Sequence, residues 1–221
     1  FDFRFGHPLR DDINAFITYK FENLQLEEIR YDIDPYMNVT PDMGYLSSIG
    51  TSVVRDVRNN RFETTKGNYE SVSSEFAGNG LGGNKDFTKL TSEGRFYHPV
   101  LEDLTFRTKV EVGHIFQTTD REIPPAEKFY LGGPNNLKGY DTFTVSPKSE
   151  RGTPLGGVTE LLYVAEFEFP LIKEAGLKIV SFYDMGDAYS NFQDLVRFRE
   201  LKQDIGFGFR WFSPIGPLRF E

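Results

Sequence analysis

Cysteine is absent from this 221-residue chain. That excludes disulfides, thiolate zinc sites, thiol nucleophiles and iron–sulfur ligation. It leaves the compartment open, because many exported proteins also lack cysteine. Histidine is scarce: His7, His98 and His114 are scattered, with no H-E-x-x-H and no carboxylate cluster beside them. They read as turn or wall residues, and neither a metal nor a cofactor is expected. Basic residues are outnumbered, 25 Lys and Arg against 33 Asp and Glu, for a formal net charge of −8. A chain of that sign is ill suited to gripping phosphate backbones, so nucleic acid is not an expected partner. Long apolar runs are missing too. No window approaches the ~18 consecutive apolar residues of a membrane helix, and the mean hydropathy is −0.43. A membrane β-strand escapes that test, because alternating apolar and polar residues cancel in a long window. No charged-then-apolar leader is visible, and the chain opens on the strand-like Phe1-Asp-Phe-Arg-Phe5. Stretches rich in Ala, Leu and Met that would make helices are also lacking.

Aromatic residues are abundant, with 22 Phe, 11 Tyr and one Trp making 15% of the chain. They recur at period 2. In 13–23, Ile13, Ala15, Ile17, Tyr19 and Phe21 share one face, and Asn14, Thr18, Lys20 and Glu22 the other. In 104–113, Leu104, Phe106, Val110 and Val112 oppose Arg107, Lys109 and Glu111. In 158–169, Leu161, Tyr163, Ala165, Phe167 and Phe169 oppose Glu160, Glu166 and Glu168. The same alternation runs through 177–186 and 203–212, more weakly through 46–56, 68–77 and 87–97, and into stubs at 1–6 and 217–221. About ten strands are predicted.

Two features separate this pattern from a soluble sandwich. Several runs have the ~9–11 residues that a tilted strand needs to cross a bilayer. The connections also alternate in length. Short ones lie at 7–11, 57–67, 98–103, 170–176 and 213–217, and longer ones at 24–45, 78–86, 117–157 and 187–202. Short turns on one rim and long loops on the other is the plan of an outer-membrane barrel, with the short turns in the periplasm. The expected fold class is therefore all-β, an antiparallel transmembrane β-barrel with long extracellular loops. In the last turn, Ser213-Pro-Ile-Gly-Pro217, Pro presets φ and Gly216 can take a positive φ. Trp211 and Phe212 then fall at the membrane interface. The longest connection, 117–157, is about forty residues, and a loop that long without its own structure is either disordered or functional.

In that loop, Phe129-Tyr-Leu-Gly-Gly-Pro-Asn-Asn-Leu-Lys-Gly-Tyr140 resembles the segment of BamA-type outer-membrane assembly factors that carries an Arg-Gly-Phe/Tyr signature. Four more stretches agree in order and spacing: Arg55-Asp-Val-Arg-Asn-Asn60 with Thr65-Lys-Gly67, Glu166-Phe-Glu-Phe-Pro170, Phe182-Tyr-Asp-Met-Gly186, and Gly206-Phe-Gly-Phe-Arg-Trp-Phe-Ser-Pro-Ile-Gly-Pro-Leu-Arg-Phe220. The last is the most specific. The resemblance implies a sixteen-stranded barrel preceded by POTRA domains, in the bacterial outer membrane, that folds and inserts other β-barrel proteins without bond chemistry. Residues 1–221 would be part of that one barrel domain, from the end of its sixth strand to the start of its fifteenth. The implied partners are outer-membrane lipids, unfolded β-barrel clients, periplasmic assembly lipoproteins and the POTRA domains.

The resemblance also gives loop 117–157 a place, folded into the lumen, and gives Lys138 a role against carboxylates of the wall. Parity points the same way, since Glu166 and Asp184 both fall on the polar faces of adjacent strands. Two neighbouring carboxylates repel, and a cation between them offsets that. Gly132 and Gly133 serve as loop glycines, Gly139 permits a tight turn beside the wall, and Tyr140 offers a ring and a hydroxyl. Lys138 stands where the family usually has Arg, which implies a looser or water-assisted latch, because ammonium is a hydrated point charge and not a planar fork. Loop composition alone would leave Lys138 a solvated lysine. The matching residues around it favour a latch.

Other motifs carry less. Gly78-Asn-Gly-Leu-Gly-Gly83 matches G-x-G-x-x-G, but Asn84-Lys-Asp86 and another strand follow where a dinucleotide site needs a helix. It reads as a hairpin loop. Glu166, Glu168 and Asp184 invite comparison with a paired-carboxylate hydrolase, yet alternating charge in a wet lumen explains them, and no catalytic residue is expected. Asn38-Val-Thr40 is a formal glycosylation sequon. Arg55, Arg58 and Arg61 are interspersed with Asp56 and Glu63 and suit periplasmic partners or lipid head groups. Alternative functions are a two-partner secretion or TamA-like pore of the same superfamily, a passive porin, and an enzyme fused to such a barrel.

Overall fold

Alternation at period 2 becomes one ten-stranded antiparallel sheet: β1 (Asp2–Pro8), β2 (Ile13–Leu24), β3 (Gly44–Asp56), β4 (Gly67–Ala77), β5 (Phe87–Pro99), β6 (Thr105–Gln117), β7 (Thr159–Ile172), β8 (Leu177–Tyr189), β9 (Lys202–Ser213) and β10 (Gly216–Phe220). Each strand pairs with the next in sequence, and the sheet is open between β1 and β10. The structure, a computed structural model, describes residues 1–24, 44–78, 80–119, 121, 123–196, 200–213 and 216–221. The sequon Asn38-Val-Thr40, most of the 24–45 connection, Asn79 of the glycine-rich loop and Pro214-Ile215 of the last turn lie outside the described residues. Among those described, no helix is long and apolar enough to cross a membrane. The strands are the crossing elements, and seven of them, β2, β3 and β5–β9, run to 12–14 residues.

Register keeps one parity on one face throughout. Ile17 pairs with Thr51, Val53 with Val72, Phe106 with Phe167, Phe169 with Ile179 and Ile179 with Phe209. That face carries Phe3, Phe5, Ile17, Val72, Phe167, Phe169, Ile205 and Phe207, all exposed. A continuous band of exposed large apolar side chains is far beyond what a water-facing surface shows and suits lipid. The other, inner face is polar and ionic, and its buried residues include Ser48, Glu166, Glu168, Asp184 and Arg210.

Strand ends run past the predicted limits where inner-face residues are apolar. β6 continues to Gln117 through Ile115, and β8 to Tyr189 through Ala188. The alternation fails there because Ile115 and Ala188 join Leu46, Ala77, Phe87, Ile123 and Phe129 in an apolar cluster on the inner face.

The short connections are built from local side-chain bonds. After β3, Asn59 Oδ1 accepts from the N–H groups of Thr65 (3.1 Å) and Lys66 (3.2 Å), and Asn60 Oδ1 from Phe62 N–H (2.9 Å). Arg58 forks onto Asp56 at 2.8 and 2.9 Å, and Arg55 reaches Asp12 and Glu70. Those arginines are thus occupied by carboxylates at the rim. Gly216 takes φ +127° and its carbonyl accepts from Ser213 Oγ at 2.6 Å, where β9 and β10 begin to pair. The ring nitrogen of Trp211 donates to Ala175 carbonyl oxygen at 2.9 Å, as an interfacial indole does. The loop between β4 and β5 is a glycine-rich hairpin, with Gly78, Gly80, Gly82 and Gly83 at positive φ and a strand after it.

If the aromatic face meets lipid, charge there is costly in proportion to depth. Phe207→Lys, near the middle of β9, should destabilise the protein by about 2–4 kcal/mol in phospholipid vesicles. Ser52→Lys, on the inner face of β3, should cost less than about 1 kcal/mol. Urea unfolding from vesicles measures both, and equal costs would contradict this assignment of faces.

Candidate functional site

Among its described residues loop 117–157 has no strand of its own that joins the sheet, so its backbone must be satisfied by turns and bridges. Phe129 and Gly157 bridge at 2.9 and 2.8 Å, and Leu131 and Val145 at 2.9 Å in both directions. Between them the chain reverses through Gly132 and Gly133, both at φ +104°. A Cβ on Gly132 would lie 2.2 Å from Asp141 carbonyl oxygen, so only glycine fits. Gly132 N–H donates to Asn136 Oδ1 (2.8 Å), while Gly133 N–H is shared between the carbonyls of Leu137 (3.0 Å) and Tyr140 (2.9 Å). The turn points Leu131, Leu137 and Val145 at the sheet, where they bury against Leu162 and Val164 of β7, with Tyr140 at the edge. Leu162 and Val164 have the parity of Glu166, so the loop lies on the inner face. Burial raises the pKa of the nearby Tyr130 phenol, which stays neutral.

This docking carries Lys138 onto β7 and β8. Its Nζ stands 3.0 Å from Asp184 Oδ2 and 3.2 Å from Glu166 Oε1. Its backbone N–H also points at Asp184 Oδ2, at 3.4 Å. The Lys138 side chain is 4% exposed and that of Asp184 0%. The ammonium lies 4.5 Å from the centre of the Phe182 ring, on whose negative face a cation is favoured. Phe182 can occupy that place because β9 offers Gly206 beneath it, where a Cβ would fall 2.5 Å from the ring. Gly139 presses against β9: its N–H donates to Asp204 Oδ2 at 3.1 Å, and an added Cβ would lie 2.7 Å from Asp204 Cβ. Tyr140 reaches the same strand and donates from its hydroxyl to Gln203 carbonyl oxygen at 3.2 Å. Lys138, Gly139, Tyr140, Glu166 and Asp184 therefore meet in one place, and Gly132 and Gly133 shape the turn that delivers them.

Sequence reasoning did not select Arg210 of β9, which completes the network. Its guanidinium forks onto Glu166 at 2.7 and 2.9 Å, and also reaches Glu168 (3.3 Å) and Glu221 (2.6 Å). Glu168 is held as well by Arg107 of β6 (2.6 Å) and Lys178 of β8 (3.0 Å). The planar fork that a loop lysine lacks is thus supplied from the wall. Parity was the available signal, since Arg210 shares its face with Asp204, opposite Phe207 and Phe209. Phe182 and Asp204 were likewise readable only by face, whereas Gln203 points its side chain to the outer face and joins through its backbone carbonyl, which parity does not signal.

Chemically this is a fastening. Glu166, Glu168 and Asp184 are each answered by a cation, Asp204 accepts from the Gly139 N–H, and the Tyr140 hydroxyl donates to a backbone carbonyl, so it is not set against a base as a nucleophile would be. Among the described residues no three His, Asp or Glu side chains are placed to hold a metal ion.

Removing one partner of a buried pair leaves the other uncompensated. Lys138→Met should cost about 3–5 kcal/mol. Combining it with Asp184→Asn should cost less than the sum of the two single changes, by about 0.5–3 kcal/mol. Chemical unfolding of the four proteins measures the coupling, and strict additivity would mean that the two residues do not interact.

Comparison with known proteins places this geometry in a family. The model of the Omp85 superfamily domain matches residues 1–221. The chain is 28% identical over 218 residues to the outer membrane protein assembly factor BamA of Nitratidesulfovibrio vulgaris, covering 98% of this chain and 28% of that protein. It is 33% identical over 111 residues to the sorting and assembly machinery component 50 homolog of Mus musculus, covering 50% of this chain and 23% of that one. In structure it resembles the crystal structure of BamA from Haemophilus ducreyi lacking POTRA domains 1–3. The TM-score is 0.79 at 16% identity, over 99% of this chain and 48% of that one. The chain thus spans under a third of the length of these curated relatives. With an antiparallel barrel-wall sheet, an exposed aromatic face and a family match from first residue to last, the chain belongs to the Omp85 superfamily.

Proposed function

We propose that residues 1–221 form a section of the wall of an outer-membrane β-barrel that folds and inserts other β-barrel proteins, without catalysing bond chemistry. The observation that carries this reading is the fastening of loop 117–157 on the inner face, with Lys138 between Glu166 and Asp184. A pore for passive diffusion needs open space inside its wall, and a loop bolted to the inner face by buried charge takes up part of that space. A machine that perturbs the bilayer and pairs strands with a client needs a wall of defined shape, and the fastening supplies it. The printed names of two relatives, an outer membrane protein assembly factor and a sorting and assembly machinery component, support the same reading.

On this reading Lys138, Gly139, Tyr140, Glu166 and Asp184 are a latch, with Gly132 and Gly133 as its hinge-free turn. They set the loop against β7–β9 and do not touch the client. Membrane lipid meets the Phe- and Ile-rich outer face, and unfolded barrel proteins are the clients. POTRA domains and periplasmic assembly lipoproteins are partners on the short-turn side, where Arg55, Arg58 and Arg61 lie.

The protein reconstituted in phospholipid vesicles should speed the folding of an unfolded outer-membrane barrel over protein-free vesicles. Lys138→Met and Asp184→Ala should lower that rate, while Ser52→Lys should not. Equal rates with and without the protein, together with a large steady conductance in planar bilayers, would replace this reading with that of a porin.

A further inference from the structure

The latch at Lys138 fastens only the second half of the loop. The first half, before the Gly132-Gly133 turn, lies on the same inner face toward β2–β5, and Glu127 belongs to it. Glu127 closes a short 3-10 turn, Pro125–Glu127, introduced by Pro124. It is 8% exposed, unusual for a loop glutamate. Its carboxylate meets Lys20 of β2 at 3.3 Å and Lys89 of β5 at 3.5 Å. Lys89 Nζ also donates to the backbone carbonyl of Glu127 at 2.8 Å and lies 4.9 Å from the centre of the Phe129 ring. Phe129 and Ile123 bury beside it among Leu46, Ala77, Phe87, Ile115 and Ala188, which belong to β3, β4, β5, β6 and β8. Gly113 of β6 makes room for Phe129, since a Cβ there would lie 2.5 Å from the ring.

We infer that Glu127 is a second, separate anchor of loop 117–157, of reversed polarity to the first. At the Lys138 end a loop cation sits between wall carboxylates. At the Glu127 end a loop carboxylate sits between wall cations. This rests on the reading of Lys138 as a latch and extends it. β2 and β5 are three strand spacings apart, about 14 Å along the sheet. Two lysines from strands that far apart meet on one carboxylate only where the inner face curves toward it. The Glu127 anchor therefore ties β2 to β5, the Lys138 anchor ties to β7, β8 and β9, and the loop braces one side of the wall against the other. Reversed polarity also fixes direction, because a loop laid down the other way would set Glu127 against Glu166 and Asp184 and Lys138 against Lys20 and Lys89.

Glu127 is a positioning residue in this account, so its test reads local opening, not insertion activity. Hydrogen exchange by mass spectrometry on the protein in vesicles would follow two segments, 123–131 and 132–145. Glu127→Gln should speed exchange in 123–131 about tenfold and leave 132–145 unchanged. The effect is kept modest by the Lys20 and Lys89 side chains, 28% and 22% exposed. Lys138→Met should do the reverse, and the double variant should open both. Lys20→Gln and Lys89→Gln, single changes on strands that keep their ladders, should each give part of the Glu127→Gln effect. Unchanged protection of 123–131 in all three variants overturns the anchor. Release of both segments together by Glu127→Gln overturns its independence. Loss of insertion activity with normal exchange, or the reverse, separates failure of the assembly reading from failure of this one.

Discussion

The carboxylate of Glu166 is shared by two cations of different origin, Lys138 from a loop and Arg210 from β9. The order of the inner face depends on that sharing. A buried carboxylate is costly to desolvate, and one partner seldom repays the loss. Arg210 gives it a planar fork at 2.7 and 2.9 Å and holds it in one orientation. Lys138 then finds a fixed acceptor, with Asp184 as a second one on the next strand. Leu131, Leu137 and Val145 close over Leu162 and Val164 beside it and exclude water, which strengthens each charge contact. Without the apolar cover the ion pairs would be screened. Without the ion pairs a loop with so little regular structure would have no single seat.

The small residues of the site answer the same constraint from the other side. Gly139 and Gly206 are not turn glycines at positive φ. They are places where two surfaces come too close for a Cβ, the loop backbone on Asp204 in one case and the Phe182 ring on β9 in the other. Phe182 is the link between them. It fills the space over Gly206 and presents its face to the Lys138 ammonium, so a large apolar residue on a polar face serves the charge network.

The sheet was legible in the sequence because period 2 is an unambiguous signal where one face meets lipid and the other meets charge. Ten strands, their order and the side on which Glu166 and Asp184 lie all follow from that alternation and from loop lengths. The signal weakens where loop 117–157 covers the inner face. Ile115, Leu162, Val164 and Ala188 are apolar at positions where parity calls for polar residues, since the loop and not water is their neighbour. β6 and β8 therefore looked shorter than they are. Local reading also treats a long loop as a polar connection, and Ile123, Phe129, Leu131, Leu137 and Val145 are too scattered in sequence to announce a core. Arg210 was visible as an inner-face residue. Its partner was not, because a pairing from β9 across β8 to Glu166 on β7 depends on register and curvature that one strand's pattern does not carry.

Buried ion pairs are weak contributors to net stability, so their presence asks for another explanation. Apolar packing alone would let loop 117–157 slide, since Leu131, Leu137 and Val145 could meet other apolar positions of the wall at similar cost. Charge does not permit that. Lys138 meets the paired carboxylates of β7 and β8, next to a fork that keeps one of them in place, and a shift by one residue along either strand would turn the partner to the lipid face. The ionic network thus selects a register that the apolar contacts leave degenerate. In a wall whose outer face has nothing but lipid to pack against, the inner face is where shape can be specified, and direction-sensitive charge is the means that this sequence uses.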